Sequence, residues 1–177
     1  MTPRAALAGL ALLTVACGRE AEPARPAEPV TDQADILSPA AEEALDETLR
    51  RYWNQKETAI VVATVPSLKG ESIEAAANRM FNDRGIGAVG TNRGVLLLIA
   101  PEERKLRIEV GCGLETVLPS EVAAGIIREA IKPRFSAGDF DAGTSAGVDA
   151  LIRRIDTANV PAGPVSRRCK QIMKIAA

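Results

Sequence analysis

Ala59-Ile60-Val61-Val62-Ala63-Thr64-Val65 and, further along, Val95-Leu96-Leu97-Leu98-Ile99-Ala100 decide the fold of this chain. Both runs are continuously apolar and rich in branched side chains. They lack the alternation of a half-exposed strand, so each reads as a strand buried on both faces. Pro66 stops the first run. Between the two runs, Ser72 is placed to cap a helix whose Ile73, Ala76, Ala77, Met80 and Phe81 fall on one stripe. A strand, a helix and a strand imply parallel pairing through a right-handed crossover.

Outward from this unit, Ser38-Pro39 marks an earlier helix, with serine as cap and proline in the first turn. Ala41, Leu45, Leu49, Tyr52 and Trp53 line its apolar face. On the other side, Pro101-Glu102-Glu103-Arg104 is a tight turn. Leu106, Ile108 and Val110 then alternate with Lys105, Arg107 and Glu109, as in an antiparallel hairpin strand. Gly111-Cys112-Gly113 breaks it. A third helix is expected from Ser120 to Ile131, ended by Pro133. A polar loop from Ser136 to Gly143 leads to a fourth helix carrying Val148, Leu151, Ile152 and Ile155. The expectation is an α/β three-layer sandwich: a small mixed sheet with helices on both faces. It occupies residues 31–157, with a poorly ordered tail at 158–177.

Composition narrows the chemistry. The 177 residues carry a net charge of -1, which argues against nucleic acid as a partner. There is no histidine, so histidine-based nucleophile systems, bases and metal ligands are excluded together. Aromatic residues make up 3%, so the core is aliphatic.

Residues 1–17 have the order of an export signal. Arg4 is followed by the apolar stretch Ala5 to Ala16, too short to span a bilayer, and by Cys17. Thr14-Val15-Ala16-Cys17 resembles a bacterial lipobox, with Thr14 where leucine is usual. Cys17 is then the lipidated mature terminus, and Gly18 after it favours the outer membrane, facing the periplasm. Residues 18–30 are Pro/Ala-rich and form an extended tether. A membrane lipid anchor and another envelope protein are the expected partners.

Strand direction places Asp32, Asp35, Asp139 and Asp141 at the carboxyl end of the parallel strands, where open α/β sheets hold ligands. Asp32, Asp35 and Asp139 are the expected ligands of a hard cation, Ca²⁺ or Mg²⁺. The same residues suit helix caps and turns. The opposite end gathers Gly85, Gly87, Asn92, Gly94 and Gly111 to Glu115. The glycines suit tight turns, and Asn92 and Glu115 are the polar candidates there. Cys112 is expected to be buried and free; a bridge to Cys169 is the alternative in an oxidising compartment.

Residues of about 30–155 resemble the TPM domain of exported bacterial and thylakoid-lumen proteins. The matching pieces are Val30-Thr31-Asp32-Gln33-Ala34-Asp35-Ile36-Leu37, Gly85-Ile86-Gly87, Asn92-Arg93-Gly94 with the strand after it, Val110-Gly111-Cys112-Gly113-Leu114-Glu115, and Pro133 through Gly138-Asp139-Phe140 to Gly143. The chain departs from the family at Arg84, Arg93 and Cys112. The resemblance implies an α/β sandwich, divalent-cation binding in some members and an acid-phosphatase activity in the plant branch. By analogy with the photosystem-repair relatives it also suggests an assembly or quality-control factor. Two functions therefore compete: a tethered accessory domain that binds an envelope protein, and a metal-assisted phosphatase acting on phosphomonoesters. The chain shows no phosphate-cradling glycine loop with lysine, which favours the first. Ser67, Lys69 and Arg134 read as surface residues.

Overall fold

The computed structural model describes residues 28–87, 90–158 and Cys169. The expected export signal, Cys17 and the expected tether up to residue 27 lie outside the described residues. So does most of the tail.

Four strands form one mixed sheet in the order β1-β2-β3-β4: β1 (Val30–Asp32), β2 (Ala59–Thr64), β3 (Gly94–Ala100) and β4 (Lys105–Val110). β1, β2 and β3 are parallel, with Val62 beside Val30 and Leu97. β4 returns antiparallel, Val110 facing Val95 and Lys105 facing Ala100. Every residue of β2 and β3 is buried, as the two apolar runs require. β1 is a correction to the sequence reading, which gave residue 30 to the tether. Three residues are too short for a periodic signal, yet Pro29 already accepts the Val62 N–H at 2.8 Å.

Helices cover both faces. α1 (Pro39–Lys56) packs Leu45, Leu49 and Tyr52 on the face formed by Ile60, Val62, Val95, Leu97 and Ile99. The same face receives α3 (Ser120–Ile126), α4 (Lys132–Ser136) and α5 (Phe140–Thr157). α2 (Ile73–Asp83) covers the other face, with Ile73, Ala76, Ala77 and Phe81 against Val61, Ala63, Leu96 and Leu98. Because α1 and α2 lie on opposite faces while β1, β2 and β3 advance in one direction, the two crossovers have opposite hands. Only one of them can take the expected right-handed sense.

Ser38 and Ser72 cap α1 and α2 as expected, accepting the N–H groups of Ala41 at 3.2 Å and Ala75 at 3.1 Å. Pro133 does not end the third helix. Residues Ile127–Ile131 form a π-helical turn, in which the Lys132 N–H reaches back to the Ile127 carbonyl. This wider turn resets the hydrogen-bond ladder, so proline's missing donor falls in the first turn of α4, where no partner is needed. The loop before α5 is accordingly shorter than expected: Asp139 already caps that helix.

Candidate functional site

The parallel strands end at Asp32, Thr64 and Ala100, and their carboxyl rim collects the loop 33–38, the loop 65–72, the turn 101–104 and the start of α5. Strand direction brings Asp32, Asp35, Asp139 and Asp141 to this rim, because α1 and α5 both start there. Asp32 closes β1 and is a fastener: one oxygen accepts the Thr64 hydroxyl and the other accepts the Leu37 N–H at 2.8 Å. Thr64 in turn accepts the Ala34 N–H at 2.9 Å. Asp141 holds the end of the same loop, accepting from the Ser38 N–H at 2.9 Å and the Ser38 hydroxyl at 2.6 Å. The hydroxyl above all, with the N–H, keeps the Asp141 carboxyl below the ordinary value of 3.8. Asp139 accepts the Ala142 N–H at 2.9 Å through one oxygen. Asp35 sits in the left-handed region at φ 53°.

As a cation site this donor set is incomplete. Among the described residues, no group of three His, Cys, Asp or Glu side chains could hold a metal ion. Both oxygens of Asp32 already accept protein hydrogens. Asp35 and one oxygen of Asp139 are the acidic donors left from the expected ligands.

At the opposite rim the glycines serve close backbone approach. A β-carbon at Gly111 or Gly113 would collide with the carbonyls of Asn92 or Thr91. Asn92 is itself left-handed at φ 45°; its amide donates to the Cys112 sulfur at 3.4 Å, and its carbonyl accepts the Gly113 N–H at 3.2 Å. Asn92 thus supports the 111–113 loop. Glu115 is exposed and lines a separate groove between β4 and α3. Cys112 is not free: it is bonded to Cys169, with the two α-carbons 5.3 Å apart. Cys169 is fully buried, contrary to its expected place in a loose tail. Spacing could not reveal this pair, because 57 positions separate its members.

A cleft of about 690 Å³ opens on the carboxyl rim between the β3–β4 turn and the α4–α5 junction. Arg104, Lys105 and Lys132 stand around it, and Leu106, Phe135 and Phe140 form its apolar lining. The two phenylalanine rings meet edge to face, 4.9 Å apart. The turn is pinned in shape. Arg104 is left-handed at φ 54°, and its N–H donates to the Pro101 carbonyl at 3.1 Å. Glu103 is drawn away toward the β2–α2 loop, accepting the Ser67 hydroxyl at 2.7 Å and the Leu68 N–H at 2.8 Å. Those two donors, hydroxyl first, hold its carboxyl below the usual range. The sequence reading missed this cleft, since its cations come from a turn and a helix that no local pattern connects.

A family model described as the TPM domain matches residues 30–154. Among solved structures, the N-terminal domain of a protein from P. gingivalis is 32% identical, covering 75% of this chain and 85% of that one, with a TM-score of 0.69. The BA42 protein from the psychrophilic bacterium Bizionia argentinensis is 20% identical over 75% of this chain and 87% of its own, with a TM-score of 0.58. The N-terminal domain of the cg2496 protein from Corynebacterium glutamicum is 18% identical over 74% and 82%, with a TM-score of 0.57. The latter two share the fold. No curated protein matches the chain.

Proposed function

The chain belongs to the TPM domain family, and from that premise we propose that it is an exported, membrane-tethered accessory domain that binds another protein of the bacterial envelope. One observation carries this reading. At the rim where ligands gather in such sheets, Asp32 and Asp141 serve as fasteners of the 33–38 loop, and an open cleft stands beside them. In this reading the rim recognises a partner, whereas phosphomonoester hydrolysis has one of the highest uncatalysed barriers and needs a nucleophile with strong cation clamping.

The Cys112–Cys169 bridge supports export, because such bonds persist in oxidising compartments. Among the described residues no helix is long and apolar enough to cross a membrane. In this reading the tether is lipid on Cys17, at the outer membrane and facing the periplasm; stable anchoring takes two acyl chains or more. A divalent cation enters the proposal as an ion held partly through water by Asp35 and Asp139, in the manner of Mg²⁺ and some Ca²⁺ sites. Calorimetric titration with Ca²⁺ and Mg²⁺ tests that part: saturable heat reduced in Asp35→Asn supports it, and flat heat at millimolar cation removes it.

Phosphate release from an aryl phosphate, with and without Ca²⁺ or Mg²⁺, tests the central reading. The full chain is expected to release no more phosphate than its Asp35→Asn variant. Cation-dependent turnover that disappears in the variant would establish the competing metal-assisted phosphatase.

A further inference from the structure

We propose that the cleft bordered by Arg104, Lys105 and Lys132 is a docking site for an acidic, apolar segment of a partner protein, a site that rests on the binding role above and specifies its chemistry. The charge of the cleft points to this occupant. Three cations surround it, and among the described residues none of them forms an ion pair. Two of the nearby carboxylates have hydrogen-bond partners of their own. Glu103 is bound to Ser67 and Leu68 at the β2–α2 loop. Asp139 turns one oxygen to the Ala142 N–H at the start of α5. Lys105 lies close enough to Glu103 for the two charges to interact, but no carboxylate of the described residues comes within ion-pair distance of the three cations.

The lining selects further. Leu106, Phe135 and Phe140 offer apolar surface in the same cleft as the cations. A free phosphate would leave that surface wet. A peptide that alternates carboxylates with Leu or Phe would meet both parts at once, with arginine able to take a carboxylate in a bidentate pair. The scaffold is rigid where the contacts are made. The turn that carries Arg104 and Lys105 is tied by its own hydrogen bond and by Glu103, and the Phe135 ring packs against the backbone of α5 at Gly143. Ligand clefts with an apolar body and a few convergent polar groups fit this description.

Fluorescence anisotropy of a labelled decapeptide alternating Glu with Leu and Phe, titrated with the full chain, tests the site. Saturable binding is expected, weakened roughly tenfold by each of Arg104→Glu and Lys132→Glu and abolished by the pair, with an unchanged circular dichroism spectrum. Both side chains are exposed, so charge reversal leaves the core intact. The same peptide with Lys in place of Glu should not bind. Absence of saturable binding overturns the site, as does binding that both variants retain. Vesicles of phosphatidylglycerol and phosphatidylcholine form the second arm; if they bind through the same residues while the peptide does not, a lipid replaces the proposed occupant and the inference fails. Its failure is separable from failure of the binding role, because the aryl-phosphate assay does not depend on this cleft.

Discussion

Asp141 takes both hydrogens that Ser38 offers, and it does so across 103 positions of sequence. Such a residue resembles a ligand in the sequence and is a fastener in the fold. Its depressed carboxyl sets a direction for pH. The bonds are made to the ionised form, so their contribution is complete above the ordinary carboxylate value of 3.8 and is lost as pH falls through the lower folded value. Asp141→Ala should lower stability at pH 7 by roughly 0.5–1 kcal/mol, discounted for the exposure of the site. The gap between wild type and variant in thermal melts should narrow as pH falls through and below the lowered carboxyl value; a gap that stays constant into acid contradicts the role. Position along the strands could be read from the sequence for all four aspartates. What each carboxylate binds could not, because a cap, a loop fastener and a metal ligand use the same residue type at the same helix starts.

At the scale of elements, the two apolar runs, the caps at Ser38 and Ser72 and the alternation after Lys105 were sufficient to place α1, β2, α2, β3 and β4, since each rests on local periodicity or local capping. β1 escaped because its three residues make sense only beside β2. Pro133 misled because proline normally forbids helix before it, and the π turn that admits it has no sequence signature. The α4–α5 junction then depends on a missing side chain. A β-carbon on Gly143 would collide with the Phe135 ring, whereas one on Gly125 in α3 would meet nothing nearer than the Arg128 guanidinium at 3.8 Å. Gly143→Ala should therefore cost about 1–3 kcal/mol through overpacking and displace Phe135 from the cleft. Gly125→Ala should raise stability by about 0.5–1 kcal/mol through helix propensity. Urea midpoints of the two variants check the contrast; equal shifts of the same sign would show that the junction is not closely packed.

Over the whole molecule, the sheet is held at two places that sequence spacing hides: the carboxyl rim, by aspartate fasteners, and the opposite rim, by the Cys112–Cys169 bond. A bond spanning 57 positions restrains the unfolded chain strongly, so Cys169→Ser is expected to lower stability by about 2–4 kcal/mol. Denaturation of wild type with and without dithiothreitol should show the same loss; a midpoint indifferent to reductant would contradict the bridge. The most direct test of the binding role places a photo-crosslinking amino acid at Ser136, beside the cleft, or at Glu121, in the groove along β4, in the full chain within the intact envelope. The account predicts one discrete protein adduct from position 136 that disappears with Arg104→Glu, and none from position 121. Equal labelling from both positions, or an adduct indifferent to Arg104, would contradict it.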